Sequence, residues 1–277
     1  MTDESGPGRA IGKSPFGPSV LWQIGFFVLV GVYSVPFWRL GQSVPVQLMP
    51  GLPISALAVV CPGAAAITLV LAHQGPGSVL GLLSRLTDWR RGATPAGLVL
   101  AVCVPLAVNV GAFLVQRLIG FAVPMPHFAM VPTLVLALLF LFAAACEELG
   151  WTGFALEPLL ERFGAAPAAI IIGVAWAAWH FVPLTQVHRP FAWIAWWTLG
   201  TVATRFVMVW LYANAGKSLL GAVLLHAMNN LCWQLYPIHG SYFDPAISGV
   251  LMTIVAIALL IAGAAAERRI RRTLTPR

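Results

Sequence analysis

A glutamate pair, two histidines and an asparagine hold the chemistry that this sequence offers. Glu147 and Glu148 close the apolar run VPTLVLALLFLFAAAC, in a chain of which only 9% is charged. His180 ends the stretch WAAWH, and His226 and Asn230 bracket HAMNN, again in apolar surroundings. Ionisable groups at bilayer depth are costly, mark functional sites by default and usually face the interior of a bundle. These residue types suit hydrolysis. A glutamate and a histidine can activate a water, while a second histidine and an amide donate hydrogen bonds to a developing oxyanion. Arg205 also lies within an apolar run.

Spacing adds a second argument. At 1.5 Å per residue, Glu147 lies about 22 Å from the basic helix end at Arg162, and His180 about 20 Å from Pro167. On the same scale His226 and Asn230 lie about 14 and about 20 Å from Lys217. Three helices thus bring carboxylate, imidazole and amide to similar heights. His226 and Asn230 are four apart and share one helical face. Adjacent glutamates point about 100° apart, so one can face a cavity while the other makes a structural ion pair. Two close carboxylates in a low-dielectric site cannot both ionise cheaply, which suits one of them to acid–base work near neutrality.

The elements that must position these groups are membrane helices. Apolar residues make up 59% of the 277 positions, and several runs reach the roughly 20 residues needed to cross a bilayer. The fold class is all-α: a polytopic transmembrane helix bundle of about eight spans, over 19–38, 52–72, 96–116, 130–162, 166–184, 190–213, 217–236 and 246–266. The fourth is read as one helix through the glutamates, bent at Pro158. Residues 76–92 are too polar to span and fit a helix lying in the interface. The bundle occupies 19–266, after a flexible tail over 1–18 and before a basic tail over 267–277. No small-residue cleavage site follows the first apolar run, so that helix reads as uncleaved.

Twelve of the sixteen lysines and arginines fall on the side of the termini, three (Arg39, Arg117 and Arg189) on the other, and Arg205 within a helix. The positive-inside rule then places both termini in the cytoplasm. The net charge of +7 reports this orientation and not a nucleic-acid partner. Cys61, Cys103, Cys146 and Cys232 sit in apolar segments without CxxC or metal-ligand spacing, and read as small buried residues.

These motifs resemble those of the CPBP intramembrane proteases, which include the CaaX prenyl endopeptidases and the Abi or bacteriocin-processing-like proteins. The family pattern is EExxxR, then FxxxH, then HxxxN. This chain has EELGWT at 147–152, WAAWH at 176–180 and HAMNN at 226–230, within a matching core over 130–236. The resemblance implies Glu147 as the base that activates water, assisted by His180, with His226 and Asn230 at the oxyanion and Glu148 as the second acid. The substrate it implies is a membrane-associated or prenylated-type peptide, admitted laterally or from the cytoplasm, in a prokaryotic cell (inner) membrane. It favours no metal. HExxH is absent, and zinc on Glu147, His180 and His226 is the rival arrangement.

Two positions depart from the pattern. Trp176 stands for phenylalanine, one aromatic for another. Thr152 stands where an arginine would neutralise a glutamate, and Arg205, at a similar depth, is the candidate to pair with Glu148 instead. Other readings use the same residues. His226 and Asn230 can serve interhelical hydrogen bonding, and the departure at Thr152 fits an inactive membrane scaffold or bacteriocin-immunity factor. Buried Glu and His groups also fit a small proton-coupled transporter.

Overall fold

Long apolar runs set the helices, and glycine, proline and small hydroxyl residues set where they stop. The computed structural model describes residues 20–87 and 94–274. The expected tail over 1–18 lies outside the described residues. Among the described residues the α-helices are α1 (Val20–Ser43), α2 (Cys61–Gln74), α3 (Pro76–Ser84), α4 (Pro95–Leu118), α5 (Met130–Gly150), α6 (Glu157–Phe163), α7 (Ala165–Gln186), α8 (Phe191–Asn214), α9 (Leu219–Leu235) and α10 (Pro245–Leu274). The protein is an all-α polytopic membrane bundle. Among the described residues, seven helical segments are long and apolar enough to cross a membrane. At 17 residues, α9 is shorter and packs against α4, α5 and α8.

Caps follow from sequence. Thr94 and Ser218 each accept a hydrogen bond from the backbone N–H three residues on, opening α4 and α9, as N-cap hydroxyls do. Gly164, at φ 81° and ψ 176°, takes an extended positive-φ conformation open to glycine, which ends α6 and lets α7 begin.

The structure differs from the sequence reading in several places. The first helix runs on past 38, through Pro36 and Arg39, to Ser43. A two-stranded antiparallel hairpin, β1 (Gln47–Met49) with β2 (Leu52–Pro53), follows it and was not expected. The second span opens as a tighter 3-10 segment, Ile54–Val60, before α2. The last helix does not stop at 266 but continues to Leu274. The interfacial segment expected over 76–92 is helical over Pro76–Ser84, and its residues 88–92 lie outside the described residues. Cys103 is exposed on the bundle surface, and Cys146 is half-buried.

The fourth span is continuous from Met130 to Phe163, but it is not one α-helix. Between α5 and α6 the backbone widens into a π segment, Trp151–Leu156. Pro158 lacks the N–H that would bond back to Phe154, and a π turn redistributes the ladder where that bond is lost. Arg85 Nη1 then donates to the Gly153 carbonyl at 2.5 Å. The turn is buried, with Trp151 and Phe154 packed on Phe26 of α1.

Candidate active site

Helix α5 delivers both glutamates to the interior, where they meet different neighbours. Glu148 is fully buried, and so are Arg205 and His226 at 1% exposure each. Arg205 Nη1 and Nη2, from α8, donate to Glu148 Oε2 and Oε1 at 2.8 and 3.0 Å. Thr152, one turn along the π segment, donates its hydroxyl to Oε2 at 2.5 Å, and His226 Nδ1 lies 3.0 Å from Oε1. A guanidinium fork, a hydroxyl and an imidazole therefore satisfy one carboxylate, which is the condition under which a buried charge is tolerated. Position 152 contributes a hydroxyl, and the cation arrives from another helix.

Glu147 faces the other way, into a cavity of about 190 Å³ that Trp176, His180, His226, Asn229 and Asn230 also line. Its Oε2 accepts from Trp176 Nε1 at 2.8 Å. His180 Nδ1 lies 2.8 Å from the Trp176 carbonyl. A carbonyl only accepts, so Nδ1 carries the proton and a neutral ring keeps its lone pair on Nε2. For His226 the partner of Nδ1 is a carboxylate already bound to an arginine, so Nδ1 is again the donor. Its Nε2 is a base when the ring is neutral and a donor when it is protonated.

Trp176 joins all of these groups. Its ring lies 4.4 Å below the Arg205 guanidinium and 4.9 and 5.6 Å from the rings of His226 and His180. The sequence reading treated it as an aromatic exchange and missed the indole donor. It also passed over Asn229, which stands beside Asn230 on the cavity wall. The only signal for Asn229 was the doubled asparagine in HAMNN.

Close helix approach holds α5 in place. A Cβ on Gly63 of α2 would lie 2.7 Å from the Cys146 carbonyl, and one on Gly150 would strike the Pro62 backbone. Small residues at such crossings are how membrane helices pack tightly. They set the depth of the glutamates against α2.

Among the described residues no three His, Cys, Asp or Glu side chains come together closely enough to hold a metal ion. Glu147, His180 and His226 line one cavity without forming the zinc ligand set that the sequence left open.

Residues 129–232 match the type II CAAX prenyl endopeptidase Rce1-like family. The matched segment is similar to that family over a little more than a third of the chain. It runs from α5 into α9 and contains all three motifs. The curated CAAX prenyl protease 2 of Methanococcus maripaludis is 32% identical over 141 residues, covering 47% of this chain and 49% of that protein. The chain therefore matches about half the length of this curated relative. Within the matched segment, Glu148 draws its cation from Arg205 of α8, so the altered motif position leaves no unpaired carboxylate.

Proposed function

We propose that the protein is an intramembrane endopeptidase that hydrolyses a peptide bond of a membrane-associated peptide. The observation that carries this reading is the division of the glutamate pair. Glu147 shares a cavity with His180, His226 and Asn230, whereas Glu148 is sealed in an ion pair.

In this mechanism Glu147 takes a proton from a water, which His180 Nε2 helps to orient. The water oxygen adds to the scissile carbonyl carbon, and the resulting oxyanion accepts hydrogen bonds from the Asn230 amide and from Nε2–H of a protonated His226. The proton held at Glu147 passes to the peptide nitrogen, the C–N bond breaks, and the carboxylic acid so formed gives its proton to the amine, so that a carboxylate and an ammonium leave. Glu148 keeps His226 oriented through Nδ1, and Arg205 keeps Glu148 ionised in its place.

The residues between spans that line the cavity, among them Leu52, Arg189 and Phe243, belong to the end holding three of the sixteen basic residues. With both termini cytoplasmic by the positive-inside rule, the mouth opens away from the cytoplasm. In that orientation the substrate enters from the opposite face or laterally from the lipid. Prenylated-type peptides are the first substrates to assay, since the curated relative is named a CAAX prenyl protease.

The test is cleavage of a panel of lipidated and unlipidated peptides by the purified protein, lost in Glu147→Ala and in His180→Ala. A wild-type protein inactive across the panel would favour the scaffold reading. Proton-coupled uptake into liposomes would favour the transporter.

A further inference from the structure

The cavity has one arginine among its lining residues, Arg189, and it stands at the mouth, between α7 and α8. The residue follows His188, whose φ of 57° makes a tight turn between α7 and α8, and its N–H is fixed to the Leu184 carbonyl. The guanidinium stacks on Trp193, 4.6 Å from the ring centroid. Its other side meets the hairpin: a Cβ on Gly51 would lie 3.3 Å from Nη2 and 3.1 Å from Trp233. A glycine at the turn and two tryptophans therefore form a seat for this side chain.

The seat contains no counter-charge. Among the described residues the ion pairs involve Arg205, Lys217 and His226, and none reaches Arg189. The one acid of the loops at this end, Asp244, turns its Oδ1 to the N–H groups of Ala246 and Ile247, at the start of α10. Burial without an offsetting carboxylate holds the guanidinium below the ordinary arginine pKa. A planar, half-buried fork with free donors is matched by a carboxylate or a phosphate, which it can bind through two parallel hydrogen bonds. Removal from water strengthens that attraction.

We propose that Arg189 anchors a carboxylate of the substrate peptide at the mouth, while the scissile bond lies deeper against Glu147. Arg189 is then a specificity-determining residue. The polarity of the cavity agrees: its lining holds one arginine at the top, one carboxylate, Glu147, at the bottom, and mainly apolar wall between. This inference rests on the endopeptidase reading, and its test separates the two.

Matched peptides ending in a free acid or in an amide are compared in neutral detergent, by cleavage and by quenching of intrinsic tryptophan fluorescence. Binding is read on the Glu147→Gln protein, where no turnover interferes. The free acid binds about tenfold or more tightly, the value of one charge-assisted contact, and the gain appears in KM. Arg189→Gln erases the ratio between acid and amide, and Arg189→Lys restores part of it. Acid-selective binding that depends on Arg189, without any cleavage, would uphold the anchor and remove the endopeptidase. Cleavage with no preference between acid and amide would do the reverse. Binding of neither peptide overturns the anchor. Equal handling of both with displacement by an anionic phospholipid also overturns it and assigns the guanidinium to a lipid headgroup.

Discussion

Arg205 and Glu148 stand 57 residues apart on different helices and form a two-pronged ion pair, at 2.8 and 3.0 Å, that water does not reach. Breaking a buried pair from one side leaves an uncompensated charge, which costs about 3–5 kcal/mol. Arg205→Ala is therefore expected to lower the thermal unfolding midpoint in detergent sharply. Thr152→Arg added to that variant returns a cation to the motif position and recovers much of the loss. Unchanged stability in Arg205→Ala would contradict the role given to the pair.

The depth of α5 depends on two glycines at its crossing with α2. Gly63→Ala and Gly150→Ala each force a methyl against backbone, and overpacking of this kind costs about 1–3 kcal/mol. Both variants should lose thermal stability, and cleavage should fall with it, because the Gly63→Ala methyl meets Cys146, next to Glu147, and the Gly150→Ala methyl pushes α5 off Pro62. Circular dichroism melts beside activity assays check this.

Much of this was legible in the apolar pattern, because a run of about 20 apolar residues has few alternatives in lipid. All eight expected spans have helical counterparts, and the adjacent glutamates diverge as a 100° step requires. The π segment was visible only as the bend expected at Pro158, since no residue pattern distinguishes a π turn from a kink. The hairpin around Gly51 was missed because its strands, three and two residues long, are too short to show a period. Asn229 and the Trp176 indole were missed for another reason. Their roles depend on which way a side chain turns within a bundle, and spacing along one helix does not report that.

Trp176→Phe keeps a ring under Arg205 but deletes the hydrogen bond that orients Glu147. The loss of one such bond, about 1–1.5 kcal/mol, corresponds to roughly tenfold in kcat, with little change in the unfolding midpoint. Steady-state kinetics and a melt on the same preparation decide it.

Asn230→Ala removes a proposed oxyanion donor. The expected loss is about 10²–10³-fold in kcat with KM nearly constant. A change confined to KM would move Asn230 from the oxyanion to substrate binding.

The direction of the mouth can be read by labelling. In a background with the four native cysteines replaced, Ser241→Cys, at an exposed position between α9 and α10, should react with a membrane-impermeant maleimide in intact cells. Lys217→Cys at the opposite end should react only after the membrane is opened. The reverse pattern would turn the cavity towards the cytoplasm.

The central claim is that two neighbouring carboxylates have separate tasks, and paired Glu147→Gln and Glu148→Gln variants test it most directly. Peptide cleavage and thermal unfolding are measured on both in the same detergent. Glu147→Gln should keep the wild-type midpoint and lose about 10³-fold or more in kcat, while Glu148→Gln should unfold several degrees lower. A Glu147→Gln protein that still cleaves at near wild-type rate would contradict the account.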